Sequence, residues 1–532
     1  MHRSLFDPRL NCRFQVESNC SLAVCMTSRA APRFALPPGP VAGGLALLAA
    51  AFYLPSLAAD FAWDSVMQVR NDQFIHDLRN LPAVLTLRVL SMDVLDFNRP
   101  TQLLSLMADA AIWGRHPFGF HLTNILLHGG VTALLFLFAR RLLGPWPALA
   151  AALVFAAHPL HAEAVAEVAN REDLLAAFFT LAGLNAAAQW GATWRGALLT
   201  VPCFFLAVGA KESAVVAPAL LALYWWWFRR AESRRAWLTL LAAASVAVGG
   251  FVVARFALEP RESLIFQRKP ERLGGSWAAT AKLQPRIWAF YLRQIVWPGD
   301  LCAEYGPWNI RNFKLPVAVA VLAAVIAAQV WWGRRDRAFA LGAATFWLAL
   351  LPVSNLVPIY QPMADRFLYL PLAGMALSVG ALATRWRYGP LVLGALALPL
   401  APLTWQQQQV WRDELSLWQH TVQKNPGSLH GYNNLGCALV NAGRLDEALR
   451  MFERSLQVSE GKNPDTWAQI ALILNERGRT AEADEAFRKA VELDPRLADP
   501  DVIARAVMWE AAQIQRWRTL VERNRTGSRP GH

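Results

Sequence analysis

Charged residues are scarce in this chain, at 17% of 532 residues against about 25% in ordinary soluble domains. Hydrophobic residues make up 55%, which excludes a protein that is water-soluble throughout its length. Nearly all the long apolar runs lie in residues 41–404, whereas residues 405–532 have the mixed composition of a soluble helical segment. The sequence therefore predicts a membrane domain followed by a soluble tail.

Cysteine is also rare and is poorly spaced for metal or disulfide chemistry. None of the six cysteines forms a CxxC pair, so a zinc site is not expected. Three lie in the first 25 residues and the other three are isolated, so a disulfide framework is not expected either. The six are Cys12, Cys20, Cys25, Cys203, Cys302 and Cys437.

The first 38 residues lack the order of a signal peptide, because no apolar core there is followed by a small-residue cleavage site. Met26 instead opens a compact basic stretch containing Arg29 and Arg33, just before the first apolar run. We hypothesise that Met26 is the true start, which N-terminal sequencing of the native protein would test.

The net charge of +13 comes without zinc-finger spacing or a ribonucleoprotein aromatic motif. Arginines cluster instead in short loops between apolar runs, as the cytoplasmic loops of membrane proteins do. We therefore expect no nucleic-acid partner.

The predicted fold class is all-α: a polytopic transmembrane bundle of about 11 spans followed by a short α-solenoid. A bilayer core of roughly 30 Å needs about 20 apolar residues per helix. The candidate spans are 41–58, 118–139, 146–163, 173–190, 195–210, 213–228, 236–257, 315–332, 338–357, 367–384 and 389–404.

Loop charges predict the orientation. A cytoplasmic N-terminus places every short arginine-rich loop inside, provided that the basic segment 281–297 is re-entrant or interfacial. An odd number of crossings then puts the C-terminus outside, together with the long loops 59–117 and 258–314.

The tail carries two repeats of about 34 residues, a period typical of tetratricopeptide repeats. They begin near Leu429 and Pro464 and place small and large residues at matching offsets. Such repeats form either a concave peptide-binding surface or a short spacer or lid on the membrane domain, and the sequence favours neither. The predicted domains are a cytoplasmic segment (1–40), the membrane domain (41–404), a linker or half repeat (405–428), the repeats (429–520) and a disordered tail (521–532).

Loop one contains the first candidate for chemistry. Asp64 lies in Phe61-Ala62-Trp63-Asp64-Ser65, soon after the first span, and a carboxylate at the membrane surface can act as a general base. Asp60 lies just before this stretch, and Asn98-Arg99-Pro100 follows in the same loop. The alternative is a helix cap or a solvated loop acid.

A second polar cluster runs from His158-Pro159-Leu160-His161-Ala162-Glu163 to Arg171 and Asp173. Pro159 prevents the helix face that an HExxH zinc site requires, and no third ligand is evident. We therefore expect a polar cluster beside an outward cavity rather than a metal site, with a hydrated loop as the alternative.

Two further groups lie near span ends. Lys211-Glu212 could hold a phosphate or simply be interfacial. Asp365-Arg366 precedes Tyr369, so Arg366 could clamp a phosphate with Asp365 holding the arginine in place. The alternative is an outer-interface anchor with Tyr369 in the aromatic belt.

Span two carries three polar residues at roughly helical spacing, for which we expect interhelical hydrogen bonds. These residues are His121, Asn124 and His128.

Taken in order, these pieces resemble one family, the transmembrane and tetratricopeptide-repeat protein O-mannosyltransferases and their bacterial relatives. The resemblance covers about residues 40–495. It rests on Phe61-Ala62-Trp63-Asp64, Arg99-Pro100, Pro117-Phe118-Gly119-Phe120-His121-Leu122-Thr123-Asn124 with His128, His158-Pro159-Leu160-His161-Ala162-Glu163-Ala164-Val165 with Arg171 and Asp173, Lys211-Glu212, Pro352-Val353-Ser354-Asn355, Asp365-Arg366-Phe367-Leu368-Tyr369-Leu370-Pro371 and the repeats.

The resemblance implies a membrane glycosyltransferase of the GT-C type in a bacterial inner membrane. Such an enzyme transfers a mannose-like sugar from a polyprenyl-phosphate donor to an acceptor hydroxyl of a protein or glycan on the outer face. The family's acidic pair in loop one falls on Asp64 and Ser65, so the second acid is missing here, with Asp60 a possible substitute. Asp365 also departs from the family, which more often has Glu there, and the repeat array is short.

The family's chemistry implies Asp64 as the base, with Arg366, Lys211 and Arg171 stabilising the departing phosphate. It implies no metal and no cofactor, and the repeats could bind a protein partner. A non-catalytic repeat scaffold is the competing function, and a transporter is disfavoured because no paired broken helices occur in two matching halves. The other predicted substrate-binding residues are Asp60, Arg99, His158, His161, Glu163, Asp173, Glu212, Asp365 and Tyr369.

Overall fold

The computed structural model describes residues 37–260, 271–506, 509 and 511–527, and over these residues the chain is helical with no β-strand. The predicted all-α class is confirmed. The helices of the membrane part are α1 (Pro38–Phe52), α2 (Leu81–Leu85), α3 (Pro100–Trp113), α4 (Pro117–Leu143), α5 (Pro145–Ala156), α6 (Ala162–Ala166), α7 (Arg171–Trp190), α8 (Trp194–Ala210), α9 (Ala217–Tyr224), α10 (Arg234–Leu258), α11 (Trp277–Val296), α12 (Pro307–Ile310), α13 (Leu315–Gly333), α14 (Arg337–Leu350), α15 (Tyr369–Ala383), α16 (Gly389–Ala395) and α17 (Ala397–Val410). Those of the tail are α18 (Glu414–Lys424), α19 (Gly431–Asn441), α20 (Leu445–Val458), α21 (Pro464–Glu476), α22 (Thr480–Leu493), α23 (Pro500–Ala506) and α24 (Ala511–Gly527).

Among the described residues, 5 helices are long and apolar enough to cross a membrane, or 6 if one bent pair counts as a single span. The five are Pro117–Leu143, Arg234–Leu258, Leu315–Gly333, Asp365–Ala383 and Gly389–Val410. The apolar helices α1, α8 and α14 are shorter, at 10–17 residues. The figure of about 11 spans, the orientation and the interfacial position of 281–297, which lies mostly in α11, stay predictions. The Met26 start lies outside the described residues.

The bent pair lies in the predicted span 146–163. Helix α5 ends at Ala156, and the chain turns by 54° before continuing as Pro159–Ala166. His158 caps the new start, since its Nδ1 accepts a hydrogen bond from the Leu160 backbone N–H at 3.3 Å. Pro159 has no N–H to extend the first helix. The break places Glu163 on the short helix α6 rather than inside a continuous span.

Loop one is folded rather than solvated. Helix α3 lies within the predicted loop 59–117. Phe61 is buried against Phe120 of α4, with ring centroids 5.5 Å apart, and the pair belongs to a local apolar core. This core fixes the chain on both sides of Asp64.

Helices α14 and α15 approach each other closely because both carry glycine at the contact. A methyl group on Gly374 would lie 2.6 Å from both the Gly342 carbonyl oxygen and the Phe346 nitrogen. Because α15 follows directly after Asp365 and Arg366, this contact fixes the position of those two residues.

Replacing Gly374 with alanine is therefore expected to destabilise the protein by about 1–3 kcal/mol, the usual cost of overpacking. The thermal unfolding temperature in detergent, measured by size-exclusion chromatography with fluorescence detection, should fall. Gly249→Ala on α10 is the matched control, since its new methyl group meets nothing within 4 Å. Equal unfolding temperatures for the two variants would contradict the close contact.

The tail forms two antiparallel helix pairs, α19 with α20 and α21 with α22. Gly436 allows the first pair to pack, since a methyl group there would lie 2.4 Å from the Phe452 ring. Helix α24 covers the far end, where the buried Trp517 donates from Nε1 to the Leu497 carbonyl at 2.8 Å. Helix α24 continues to Gly527, so the prediction of disorder over 521–532 is wrong as far as that residue. The sequence pattern concealed this because the helix is largely polar.

The tail packs on loop one. Trp63 stacks on Trp411 with ring centroids 6.1 Å apart, and its ring meets Trp418 edge-to-face at 5.4 Å. The Asp60 backbone N–H donates to the Arg412 carbonyl at 2.9 Å. The predicted domain boundary at residue 404 falls inside α17, which runs into this contact.

A second contact joins the tail to the loop before α12. Glu304 is paired with His430 at 3.0 Å and accepts a hydrogen bond from the Ser428 hydroxyl. The Asn425 side chain donates to the Glu304 carbonyl at 3.1 Å. Loop one and the loop before α12 therefore both contact the tail.

Trp63→Ala is expected to weaken tail docking by about 1–3 kcal/mol, because two ring contacts of roughly 0.5–1.5 kcal/mol each are lost. Limited proteolysis should then cleave the chain between α17 and α19 faster than in the wild type. Leu78→Ala, at an exposed loop-one position, is the control. Unchanged cleavage of the Trp63 variant would show that the ring contacts do not hold the tail.

Candidate active site

Asp64 lies between two anchored neighbours. Trp63 has a left-handed φ of 49° and its ring is held by the tail, while the Ser65 backbone and side chain are buried. The Asp64 side chain is half-buried and has no hydrogen-bond partner among the described residues. Burial raises the pKa of the Asp64 carboxyl above its ordinary value, and the positive charge of Arg366 opposes that rise. A partly accessible carboxylate without a partner is suited to accept a proton.

Glu163, rather than Asp365, holds Arg366. The two Glu163 oxygens accept from the Arg366 guanidinium and from its backbone N–H, the latter at 3.0 Å. Gln361 accepts a further hydrogen bond from the guanidinium at 2.7 Å. Asp365 instead accepts from the Tyr305 hydroxyl at 2.6 Å, so the prediction that it positions the arginine is wrong. The reason is that consecutive residues at the helix start point to different neighbours.

Lys211 is the second buried cation. Its Nζ lies 2.9 Å from Glu172 Oε1 and 2.6 Å from Asp173 Oδ2. Lys211 Nζ and Arg366 Cζ lie 5.5 Å and 5.3 Å from the centroid of the Phe367 ring. The two cations therefore lie near the same aromatic ring, each with its own carboxylate partners.

Arg99 joins this network through Glu172, with which it forms an ion pair, and through Asp96 at 3.0 Å. Glu212 does not pair with Lys211. Its carboxylate lies 3.7 Å from Arg99 Nε and 3.5 Å from Arg255.

In this charged network, the buried Nε atoms of Arg99 and Arg366 make no hydrogen bond to the described residues. Buried donors in native structures are nearly always satisfied by protein or by a bound group. Both belong to arginines whose charge acts on Asp64. These donors are candidates for binding an anion beside the carboxylate.

Arg171 makes no ion pair with the carboxylates that hold Arg99, Lys211 and Arg366. Its side chain is fully buried and donates to Asn124, Ser105 and the Phe120 carbonyl at 2.7–2.9 Å, and it pairs with Asp109 at 2.6 Å. With its donors engaged in this way, Arg171 ties α7 to α3 and α4 rather than offering a phosphate site.

The predicted histidines lie in an aromatic cluster. His158 Nε2 is 3.0 Å from the Ile295 carbonyl. His161 is fully buried, with its ring centroid 4.6 Å from that of Tyr369. Tyr369 donates to His128 Nδ1 at 2.7 Å and is buried, which contradicts the alternative position in an outer aromatic belt. Its predicted part in substrate binding stays a prediction.

The other two polar residues of α4, Asn124 and His121, differ from each other in their contacts. Asn124 makes the expected interhelical bonds, since it accepts from Arg171 and donates to the Val165 carbonyl at 3.2 Å. His121 stacks on Phe61 instead.

Asp60 lies apart from the charged network. Its carboxylate pairs with Arg70 at 2.5 Å, and 57% of its side chain is exposed. This partnered surface acid is a poor substitute for Asp64.

Several site residues were not predicted. Glu172, which bridges Arg99 and Lys211, lies in the same polar run as Arg171 and Asp173 and could have been found there. Tyr305 and Gln361 lie in loops far along the chain, where no spacing pattern links them to the site.

Among the residues described, no group of three or more His, Cys, Asp or Glu is arranged to hold a metal ion.

Comparison with known proteins shows what the chain is similar to. Tetratricopeptide-repeat models match residues 428–461 and 464–497. Over 79% of its length the chain is 26% identical to Protein O-mannosyl-transferase Tmtc1 of Drosophila melanogaster, covering 61% of that protein. The chain is therefore similar to protein O-mannosyl-transferases and carries tetratricopeptide repeats. The predicted family resemblance and the two repeats are thus confirmed.

Two other members of the family show how the similarity is distributed. Protein O-mannosyl-transferase F38B6.6 of Caenorhabditis elegans is 22% identical over 76% of this chain and 61% of that protein. Protein O-mannosyl-transferase TMTC2 of Homo sapiens is 37% identical over 26% of this chain. The chain spans 53–61% of the length of the first curated family members it matches. No solved structure matches it.

Proposed function

We propose that the chain is a membrane glycosyltransferase that moves a mannose-like sugar from a polyprenyl-phosphate donor to an acceptor hydroxyl on the outer face of a bacterial inner membrane. The names of its homologues support a sugar transfer. The observation that carries the proposal is that Asp64, which makes no hydrogen bond to the described residues, lies in the field of Arg366 and Arg99, whose buried Nε atoms also make none. A base next to an anion site is what this transfer requires.

The reaction follows from these groups. Asp64 takes the proton of the acceptor hydroxyl, and the oxygen attacks the anomeric carbon of the sugar. The bond from that carbon to the phosphate oxygen breaks, and the lipid phosphate leaves with the electron pair. Arg366 and Arg99, with Lys211 nearby, stabilise the charge that develops on the phosphate. The donor lipid enters sideways from the bilayer, and the proposed reaction uses no metal.

The tail supports a protein acceptor. It packs against Trp63, the residue before Asp64, and against Glu304 of the second long loop. Repeats of this kind bind peptides in a concave groove, so a bound protein would lie near the proposed base.

The proposal is tested by mass spectrometry of envelope glycoproteins and glycans from cells with and without the protein, and from cells carrying the Asp64→Asn variant. Hexose additions should be present with the wild type and absent from the deletion and variant strains. Identical glycan profiles in all three would contradict the proposal and favour a non-catalytic scaffold whose repeats bind protein partners.

A further inference from the structure

The segment that carries Asp64 is held from a second direction by a buried acid. Glu167 Oε1 accepts hydrogen bonds from the Ser65 hydroxyl at 2.5 Å and from the Ser65 backbone N–H at 2.8 Å. The Ser65 hydroxyl in turn accepts from the Ala169 backbone N–H at 2.9 Å. Three hydrogen bonds therefore fix the residue that follows Asp64.

These three hydrogen bonds, called the Ser65 clamp below, act on a strained piece of backbone. Trp63 adopts the left-handed φ of 49°, which costs energy in a residue other than glycine and persists only where surrounding contacts impose it. The tail holds the Trp63 ring on one side of Asp64, and Glu167 holds Ser65 on the other.

Glu167 also supplies a second carboxyl group next to the segment that carries Asp64. Loop one carries a single acid at 64–65, and Glu167 brings another carboxyl to Ser65 from the turn after α6. The side chain is 1% exposed, and burial raises its pKa well above the ordinary value, with the charge of Asp64 adding to the rise. Burial therefore disfavours the charged form of Glu167.

We propose that Glu167 is a positioning residue for Asp64, acting through its two hydrogen bonds to Ser65. The inference rests on the proposed function, because it assigns Asp64 the role of base. It does not require Glu167 to touch substrate. What matters is the acceptor oxygen at Oε1, not a negative charge.

Three variants test whether Glu167 acts through its acceptor oxygen or through a negative charge. They are made in the full-length protein, reconstituted in liposomes with polyprenyl-phosphate mannose as donor. Glu167→Ala removes both hydrogen bonds and is expected to lower kcat by about 10- to 100-fold with little change in KM, as small misplacements of a catalytic group do. Glu167→Gln keeps an acceptor oxygen and is expected to restore most of that loss. Ser65→Ala keeps only the backbone hydrogen bond and should fall between the two.

The pH profile of kcat/KM distinguishes position from charge. Its acid limb should be unmoved in Glu167→Gln, because the proposal assigns Glu167 a hydrogen-bonding role and no charge that acts on Asp64. The other charged groups that act on Asp64 are unchanged in that variant; they are Arg366, Glu172, Arg99 and Glu163. A wild-type kcat in Glu167→Ala, a Glu167→Gln kcat as low as that of the alanine variant, or a shifted acid limb would overturn the proposal.

A readout without transfer separates this inference from the function on which it rests. Labelling of Asp64 by a water-soluble carbodiimide and an amine, measured by peptide mass spectrometry, should be faster in Glu167→Ala and in Ser65→Ala than in the wild type. If the wild type transfers no sugar but the labelling rates differ as expected, the proposed function fails and the Ser65 clamp stands. Equal labelling in all forms contradicts the Ser65 clamp even where transfer is observed.

Discussion

Replacing Asp64 with asparagine is expected to lower sugar transfer by about 10²–10⁴-fold, the range observed when a general base is removed. Asparagine has nearly the same shape, so the packing of Trp63 and Ser65 should persist while the proton acceptor is lost. Transfer of radiolabelled mannose in membranes, with the thermal unfolding temperature measured in parallel, checks both parts.

The control is Asp60→Asn, a change of the same chemistry four residues earlier in the chain. Asp60 is paired with Arg70 at the surface, so its loss should leave most of the activity. Since burial raises the pKa of Asp64, wild-type activity should fall as the pH drops through a value above 3.8, where the carboxylate becomes protonated. Unchanged transfer by Asp64→Asn would exclude the aspartate as the base.

Arg366→Ala is expected to have the second large effect, for two separate reasons. Removing a donor to the developing phosphate charge costs about 10²–10³-fold in rate. Removing the partner of the buried Glu163 leaves an unpaired charge, at about 3–5 kcal/mol of stability. The variant should therefore be both inactive and less stable.

Arg366→Lys separates the two effects. Lysine keeps the positive charge next to Glu163, but it cannot reach Glu163 and Gln361 together as the guanidinium does. We expect its stability to recover more than its rate of transfer. Arg79→Ala, at a 90% exposed arginine side chain in loop one, should change neither quantity. An active, stable Arg366→Ala variant would show that the arginine is not part of the site.

Local sequence patterns were sufficient to predict the helical class, the repeats and several of the charged residues that meet. Arg99, Glu163, Lys211 and Arg366 come from four separate segments of the chain, and only the family resemblance grouped them into one predicted site. Apolar runs predicted the membrane spans less reliably, because the run that is broken at Pro159 forms two helices with different directions.

The partners of these charges could not be predicted in the same way. Nothing in the spacing of Asp365-Arg366 shows that Glu163 holds the arginine while Tyr305 holds the aspartate, because that choice depends on how α6 and the loop before α12 pack against the start of α15. The buried role of Arg171 was hidden for the same reason. Its partners come from α3 and α4, which are separate in sequence.

The most direct measurement uses purified wild-type protein in liposomes that contain polyprenyl-phosphate mannose and no other glycosyltransferase. Envelope proteins from a strain lacking this protein are added outside the vesicles, and hexose addition is followed by mass spectrometry. We predict that hexose appears on serine or threonine hydroxyls of the added proteins with the wild type and is absent with Asp64→Asn. No transfer by folded wild-type protein from this donor, or from other polyprenyl-phosphate sugars, would contradict a glycosyltransferase built around Asp64.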